Sequence, residues 1–148
     1  MVLDDLRRIV RALRLSSRSS ERRLGVTAAQ LFVLKVLAGA RSRTMGELAA
    51  LTRTHQSTVS VVVKRLVARG LVHRATSTRD ARCVELRLAP AGRRLLRKAP
   101  AAAQERLIEG VERLPPRERK ALAAALHRLT REMRLAEDDP SMFFEDDA

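Results

Sequence analysis

Residues 44–70 read TMGELAALTRTHQSTVSVVVKRLVARG, and the first part of this stretch predicts a short helix. Thr44 and Glu47 have the spacing of a capping box, in which the hydroxyl and the carboxylate each bind a backbone amide that a helix start leaves free. The apolar residues that follow place the end of this helix at about Leu51. The polar segment Thr52-Arg53-Thr54 then predicts a turn.

A longer helix is predicted from His55 to Arg69. Gly70 is expected to end it, because glycine readily adopts the left-handed conformation found just beyond many helix ends. Two helices joined by so short a turn indicate a helix-turn-helix. Four aliphatic residues of the longer helix share one side and are expected to face the core, namely Val59, Val62, Val63 and Leu66.

Beyond Gly70 the hydrophobic pattern changes from the period of a helix to the alternation of a strand. Leu71–Thr76 and Cys83–Leu88 are predicted strands, and Ser77–Ala81 is a polar turn between them. The second strand is expected to bury Val84, Leu86 and Leu88 and to turn Cys83, Glu85 and Arg87 outward. A hairpin directly after the second helix of a helix-turn-helix is typical of a wing.

The N-terminal end of the longer helix carries side chains that suit nucleic acid. Gln56 can pair bidentately with adenine, and Ser57 and Thr58 can reach bases or phosphates. The helix N-terminus itself attracts phosphate. Val61, on the outward face, has two interpretations that stay open: a contact to a thymine methyl group, or an exposed aliphatic side chain without a role.

The predicted hairpin tip holds Arg79 and Arg82, which suit phosphates or a narrow minor groove, although a plain solvated turn is the alternative. Asp80 is an isolated acid in a basic region, and we predict that it orients Arg82 through a charge-assisted pair. The candidate DNA-contacting residues are therefore Thr54, His55, Gln56, Ser57, Thr58, Ser60, Val61, Lys64, Arg65, Arg79, Asp80 and Arg82.

Helices are predicted before this region as well. The first repeats apolar residues as a narrow stripe that suits packing on another helix, and Ser16–Ser20 is expected to be its fraying end. Its stripe consists of Leu3, Leu6, Val10 and Leu13. The second helix is expected to start at Thr27, which has capping-box spacing to Gln30, and to end at Gly39.

Further helices are predicted after the wing. One should run from Pro90 to about Arg113 with a kink at Pro100, and Pro115-Pro116 should separate it from the last. The last helix carries an apolar stripe of Leu122, Leu126, Leu129 and Met133. The expected fold is mainly α with a small β-wing, a winged helix-turn-helix flanked by N- and C-terminal helices.

The net charge is +13 and the isoelectric point is near 11.6, so an anionic partner is expected, either nucleic acid or a membrane surface. Nine Lys and Arg residues lie between Arg41 and Arg82, against only Glu47 and Asp80. A basic middle without a cationic amphipathic surface helix favours double-stranded DNA over a membrane. The single cysteine suits a reducing compartment, and we expect a cytoplasmic protein.

The sequence predicts neither an enzyme nor a metal or cofactor. Its three histidines, His55, His73 and His127, match no metal spacing or catalytic triad order with Cys83. Two classes of DNA-binding protein stay open. One is a sequence-specific regulator, and the other is an architectural protein that coats DNA through charge alone and would not need the polar cluster at 56–60.

Several short runs, taken in order and spacing, resemble the MarR family of bacterial and archaeal regulators over about Thr27–Gly92. They are Glu47-Leu48-Ala49, Gln56-Ser57-Thr58-Val59-Ser60, Arg65-Leu66, Gly70-Leu71-Val72, Asp80-Ala81-Arg82 and Leu86-Arg87-Leu88-Ala89-Pro90-Ala91-Gly92. The resemblance implies one domain over 1–148, with a winged core at 24–92, dimerisation helices at 1–23 and 93–136, and an acidic tail at 137–148.

The resemblance further implies an obligate homodimer that binds a pseudo-palindromic operator, usually as a repressor released by a small aromatic or anionic ligand or by cysteine oxidation. It assigns DNA recognition to Gln56, Ser57, Thr58, Ser60, Val61 and Lys64, and the wing contact to Arg82 oriented by Asp80. The chain departs from the pattern in two places. Its first helix has no cysteine, so only Cys83 could respond to oxidation, and Ala89 replaces the usual threonine N-cap.

The family's ligand pocket lies between the dimerisation helices and the winged domain. In this chain it would be lined by Arg7, Arg11, Arg14 and Phe32, with solvated arginines and a core phenylalanine as the alternative. The end of the chain, Ser141-Met142-Phe143-Phe144 followed by three acids, has three interpretations. It is a disordered end, an apolar segment that docks on the partner subunit, or an acidic segment that competes with DNA for the basic surface.

Overall fold

The computed structural model describes residues 1–78, 80–135, 140–143 and 145 of the chain. It has the predicted fold, mainly helical with a small antiparallel sheet in which β3 lies between β1 and β2. No helix in this part of the chain is long and apolar enough to cross a membrane. The elements are α1 Val2–Leu24, α2 Ala28–Ala38, β1 Arg43–Thr44, α3 Met45–Thr52, α4 Gln56–Ala68, β2 Val72–Thr76, β3 Val84–Leu88, α5 Pro90–Leu96, α6 Ala103–Arg113 and α7 Pro116–Glu132.

Helix α2 forms the centre of the core because it is apolar on nearly every side. All seven residues from 28 to 34 are buried, and so is Leu37. The predicted capping box is present: the Gln30 amide donates to Thr27 Oγ1 (3.1 Å), and the Thr27 amide donates to Gln30 Oε1 (3.4 Å). A helix that is apolar all round needs partners all round, and α1, α3, α4, α5, α6 and β3 contact it.

Helices α3 and α4 form the predicted helix-turn-helix. The capping box at the start of α3 is confirmed, since the Glu47 amide donates to Thr44 Oγ1 (3.2 Å) and the Thr44 amide donates to Glu47 Oε2 (2.7 Å). Arg53 ends α3 in the left-handed conformation with φ 56°, and Gly70 follows α4 with φ 68°, as predicted for a terminating glycine. The four aliphatic residues that α4 was expected to bury are all in the core.

The wing consists of β2 and β3, with Val72 opposite Leu88 and Thr76 opposite Val84. The predicted alternation of β3 is confirmed for Leu86 and Leu88, which are buried, whereas Val84 is only half-buried. The sequence did not predict β1, because two residues are too few to show a period. Arg43 of this strand pairs with Leu86 of β3, and this pairing joins the start of the helix-turn-helix to the wing.

Glu85 stabilises the wing at the outward side of β3. Its carboxylate accepts hydrogen bonds from Arg87 Nη2 (3.0 Å) and Ser77 Oγ (2.8 Å). These bonds, foremost that from Arg87, lower the pKa of Glu85 below its ordinary value. The carboxylate therefore stays ionised at neutral pH and ties the start of β3 to the beginning of the wing turn.

The prediction that Ser16–Ser20 is the fraying end of the first helix is wrong, because α1 continues through it to Leu24. Ser17 and Ser20 are buried, and the Ser20 hydroxyl donates to the Ser16 carbonyl oxygen one turn earlier (3.0 Å). Ser16 Oγ accepts from the amide of Ala103, the first residue of α6 (3.2 Å). Small side chains that satisfy their own hydroxyls let α1 lie close to its neighbours, and this packing outweighs their low helix propensity.

The prediction of a single helix from Pro90 to Arg113 with a kink at Pro100 is also wrong, because this range forms two helices, α5 and α6. Lys35 of α2 holds the connection between them. Its ammonium group donates to the Pro100 carbonyl oxygen (2.8 Å) and pairs with Glu105 (3.0 Å). Proline has no amide hydrogen with which to continue a helix, and the partly buried Lys35 ammonium is the donor to the Pro100 carbonyl oxygen between the two helices. The predicted break at Pro115-Pro116 is confirmed by the start of α7.

Gly92 lies where α5 crosses the base of the wing. A Cβ atom at this position would overlap the Leu71 carbonyl oxygen and come within 2.8 Å of Leu88 Cδ1. The Leu71 carbonyl also accepts a hydrogen bond from the Ala89 amide (3.0 Å), so α5 cannot move away without losing this bond. Glycine is therefore required here by close backbone approach rather than by conformation.

We expect Gly92→Ala to lower the free energy of unfolding by about 1–3 kcal/mol, because the backbone must shift to admit a methyl group. Gly110→Ala in α6 is the matched control, since nothing lies within 4 Å of a Cβ atom there. The control should be neutral or more stable by up to about 1 kcal/mol, since alanine is the better helix former. Urea denaturation followed by circular dichroism measures both, and equal unfolding free energies would contradict the packing argument.

Candidate nucleic-acid interface

The N-terminal end of α4 is open to solvent and uncapped. His55 is its N-cap, with extended backbone angles (φ −75°, ψ 153°) and no side-chain capping hydrogen bond. Helices α2 and α3, by contrast, each begin with a capping box. His55, Gln56 and Ser57 are all exposed. Unsatisfied amides at a helix N-terminus attract anions, phosphate above all. This end of α4 therefore combines free backbone donors with side chains that can reach base edges.

The turn places Gln56 against the start of α3. A Cβ atom at Gly46 would lie 3.2 Å from Gln56 Nε2, so the absence of a side chain at position 46 leaves room for the amide group. Thr54, in the turn itself, shares a hydrogen bond with the hydroxyl of Thr52 (2.9 Å) and is half-buried. Thr54 thus holds the turn, whereas Gln56 projects beyond it.

The outward face of α4 presents an apolar residue beside a cation. Val61 is 46% exposed, and Lys64 is exposed one turn further along. The Ser60 hydroxyl donates to the Ser57 carbonyl oxygen (2.8 Å), so in this structure it is turned toward its own helix. The predicted exposure of Val61 and Lys64 is confirmed, and their role in binding stays a prediction.

Two candidates on one flank of α4 contact the end of the chain. Thr58 Oγ1 donates to the Pro140 carbonyl oxygen (3.4 Å), and Arg65 Nη1 pairs with Glu145 Oε1 (2.6 Å). This flank is therefore in contact with the end of the chain, although the Arg65 side chain stays 43% exposed.

At the tip of the wing Arg82 and Asp80 are both exposed. The prediction that their side chains pair is wrong. Asp80 Oδ1 accepts a hydrogen bond from the backbone amide of Arg82 (2.9 Å), which is the geometry of an Asx turn. The carboxylate therefore shapes the backbone that carries Arg82 and does not hold its guanidinium. Arg79, the other predicted wing cation, lies outside the described residues.

A helix-turn-helix with an open recognition end, followed along the chain by a wing with exposed arginines, is the arrangement by which winged proteins approach a DNA groove. The MarR family model matches residues 24–82, which span α2 to the wing. A probable transcriptional regulator from Pseudomonas aeruginosa is 30% identical over 87% of this chain and 99% of that chain, with a TM-score of 0.58. This chain belongs to the MarR family.

Two further solved structures resemble this MarR-family chain. A MarR family transcriptional regulator from Silicibacter pomeroyi is 26% identical over 90% of each chain, with a TM-score of 0.55. BpsR from Bordetella bronchiseptica, described by the regulation of its DNA binding by 6-hydroxynicotinic acid, is 28% identical over 87% of this chain and 98% of that chain, with a TM-score of 0.58. No curated protein sequence matches the chain significantly.

Three exposed residues on or near the helix-turn-helix and wing of this MarR-family protein were missed by sequence reasoning. His73 and Arg74 are exposed on β2, an edge strand whose last four residues all face solvent. Alternation alone could not reveal this, because it assumes that one face of every strand is buried. Arg53, taken only as part of a polar turn, pairs with Glu112 of α6 (2.6 Å) and links the helix-turn-helix to that helix.

The four residues proposed to line a ligand pocket do not come together around one cavity within the described subunit. Arg7, Arg11 and Arg14 line a groove of about 500 Å³ along α1 that is bounded by residues of α1 alone. Phe32 is instead 3% exposed within the central core. The burial of Phe32 favours the alternative of a core phenylalanine, because α2 is apolar on nearly all sides and places the ring among aliphatic residues.

Cys83 lies at the tip end of the wing, immediately before β3, where Asp80 controls its chemistry. Its thiol donates to Asp80 Oδ2 (3.7 Å). The negative charge of Asp80, with smaller effects of burial and of this hydrogen bond, raises the pKa of Cys83 above its ordinary value. The thiolate is the form that oxidants attack, so this environment disfavours the redox role considered for Cys83.

We expect Cys83, the single cysteine of the chain, to be alkylated slowly by iodoacetamide near pH 8, and Asp80→Asn to make the reaction faster. Removing the carboxylate lowers the thiol pKa and so raises the thiolate fraction at that pH. Glu118→Gln, a charge change in the first turn of α7, serves as the control. Equal alkylation rates for the two variants, measured by intact mass, would show that Asp80 does not control the thiol.

Proposed function

We propose that this chain is a homodimeric regulator that binds double-stranded DNA in a sequence-specific manner and represses transcription. The observation that carries the proposal is the open, uncapped N-terminus of α4 with exposed Gln56 and Ser57, in a chain whose wing also exposes Arg82. A helix end of this kind enters a major groove, and glutamine can distinguish adenine there by a bidentate pair. The wing arginine suits the adjacent phosphates or minor groove.

The rest of α4 supports direct reading of base edges rather than charge alone. Val61 is an exposed aliphatic side chain on the same face as Lys64 and suits a thymine methyl group. Phosphate contacts alone carry no sequence information. The rival function, an architectural protein that coats DNA, is supported by the net charge of +13 but leaves the polar cluster at 56–60 without a role.

The dimer is supported by apolar surface at both ends of the chain. In α1, Leu3, Leu6 and Val10 are exposed, and no residue of α7 is buried although Leu122, Leu126 and Leu129 form one stripe. Contiguous apolar surface of this kind marks a protein interface. A second copy of the chain, with the same two helices, would cover both stripes through one two-fold interface.

A small aromatic anion is the ligand class that we propose for control of DNA binding. BpsR, whose DNA binding is regulated by 6-hydroxynicotinic acid, supports this through its 28% identity over nearly its whole chain. Such a ligand controls DNA binding if it has a higher affinity for one of two conformations of the dimer that differ in the separation of the recognition helices. DNA binding requires those helices to match half-sites about one helical turn, or 34 Å, apart.

The proposed function predicts that selection from a random duplex library enriches one inverted repeat. Arg82→Ala should weaken binding to that repeat by about tenfold, because a wing cation is lost. Arg117→Ala in α7 removes the same charge outside the helix-turn-helix and the wing, and should leave the affinity within about twofold. Fluorescence anisotropy on the enriched duplex measures both variants at one salt concentration.

Recovery of unenriched DNA by the wild-type protein would favour the architectural function instead. An enriched sequence without two-fold symmetry would contradict the homodimer but keep sequence-specific binding.

The proposed interface is tested by Leu126→Glu, which places a charge in the stripe of α7, where Leu126 is 46% exposed. We expect this variant to shift the protein toward the monomer in light scattering, because an unpaired charge is costly to bury at an interface. Ala124→Glu is the matched control, since position 124 lies about 200° around the helix from position 126. A monomeric wild-type protein, or two variants that both remain dimeric, would contradict this interface.

A further inference from the structure

The described end of the chain, residues 140–143 and 145, lies against the helix-turn-helix; we call it the C-terminal segment. Met142 is 2% exposed and packs within the same hydrophobic core cluster as α2 and α4. Together with Pro140, Ser141 and Phe143 it borders a cavity of about 480 Å³, whose other walls are the end of α3, the α3–α4 turn and α6. Its apolar residue is thus buried within the subunit, as in any folded element.

Glu145 makes the polar half of this contact. Its side chain is 4% exposed, and its carboxylate pairs with Arg65 Nη1 (2.6 Å) and accepts a hydrogen bond from Thr27 Oγ1 (3.3 Å). Arg65 Nη1 also donates to the Glu145 carbonyl oxygen (2.9 Å). A buried carboxylate with a cationic partner and a hydroxyl donor is well satisfied, which supports a specific docked position.

The segment contacts one flank of α4. Thr58 and Arg65 are seven residues apart, so they lie on the same side of the helix, and they contact Pro140 and Glu145 respectively. Both are candidate DNA contacts, and the Nη1 donor of Arg65 that Glu145 engages is not available to a phosphate. The C-terminal segment therefore contacts side chains that are also candidate contacts for DNA.

We propose that the C-terminal segment is an intramolecular inhibitor that competes with DNA for the Thr58–Arg65 flank of α4. This inference rests on the proposed function, because it concerns the affinity of the same helix for DNA. The last twelve residues of the chain hold six acids and no base, opposite in sign to the region between Arg41 and Arg82. A tethered competitor acts at an effective concentration of the order of millimolar, so even weak docking competes.

Competition has a thermodynamic consequence that a purely structural tail would not have. A segment that stabilises the DNA-free form and is displaced by DNA weakens DNA binding by its own docking free energy. Loosening the segment must then tighten DNA binding, whereas loosening a segment that only supports the fold would leave the affinity unchanged or reduce it.

Two variants of the full chain separate these cases. Glu145→Gln removes the ion pair with little change of shape, and Glu118→Gln makes the same charge change in α7, away from the segment. Binding is measured by anisotropy on a fluorescein-labelled duplex carrying the sequence most enriched by the wild-type protein. We expect Glu145→Gln to bind about fivefold more tightly than the wild type and Glu118→Gln to stay within about twofold.

Met142→Ala loosens the segment without changing the net charge of the protein. It should also tighten DNA binding, which a general electrostatic effect would not explain. Circular dichroism at the assay temperature establishes that the variant is folded, because truncating a buried methionine costs about 2–5 kcal/mol. If it is unfolded, Met142→Leu, which conserves volume and apolar contact, should bind DNA as the wild type does while Glu145→Gln still binds more tightly.

The proposal is overturned if Glu145→Gln binds no more tightly than Glu118→Gln, or if folded Met142→Ala binds the duplex no more tightly than the wild type. In either case wild-type binding to an enriched sequence leaves the proposed function intact. Failure of the wild type and of every variant to bind DNA would overturn the proposed function itself, and the inhibition with it.

Discussion

The structure depends on the burial of α2, a helix with apolar side chains on nearly every side. Such a helix cannot leave any face in water, so the chain must surround it. The helix-turn-helix, the wing strand β3, and helices α1, α5 and α6 all contact it. The capping box at Thr27 sets where it begins, and Lys35 at its other end holds the Pro100 connection. The position of the recognition helix relative to the rest of the subunit follows from this one burial.

Concentrating the core around α2 leaves the two ends of the chain short of apolar partners. In α1 only Leu13, Ser17 and Ser20 are buried, and α7 has no buried residue at all. The first half of α1 and the stripe of α7 are therefore apolar surface that a single subunit does not use. The winged core buries its own apolar residues, whereas the terminal helices leave apolar residues exposed. This difference is the physical basis of the proposed dimer.

The acids near the candidate interface each stabilise a local structure. Glu47 caps α3, Glu85 holds the wing turn, and Asp80 shapes the backbone before Arg82. None of these three pairs with a cation of the recognition helix in the described structure. The acid that does is Glu145, from the far end of the chain. That contact is the reason for assigning the C-terminal segment a role in DNA binding rather than in the fold alone.

Features that rest on contacts within a few residues were predictable from the sequence. The two capping boxes, the terminating Gly70, the alternation of β3 and the exposed end of the recognition helix each depend on neighbours along one element. Features that depend on distant residues emerged only from the tertiary structure. The serine segment of α1 is helical because Ser16 bonds to Ala103, 87 positions away. The ion pair between Arg65 and Glu145 likewise joins residues 80 positions apart. No local pattern encodes such contacts, because their free energy exists only once burial of α2 has brought the partners together.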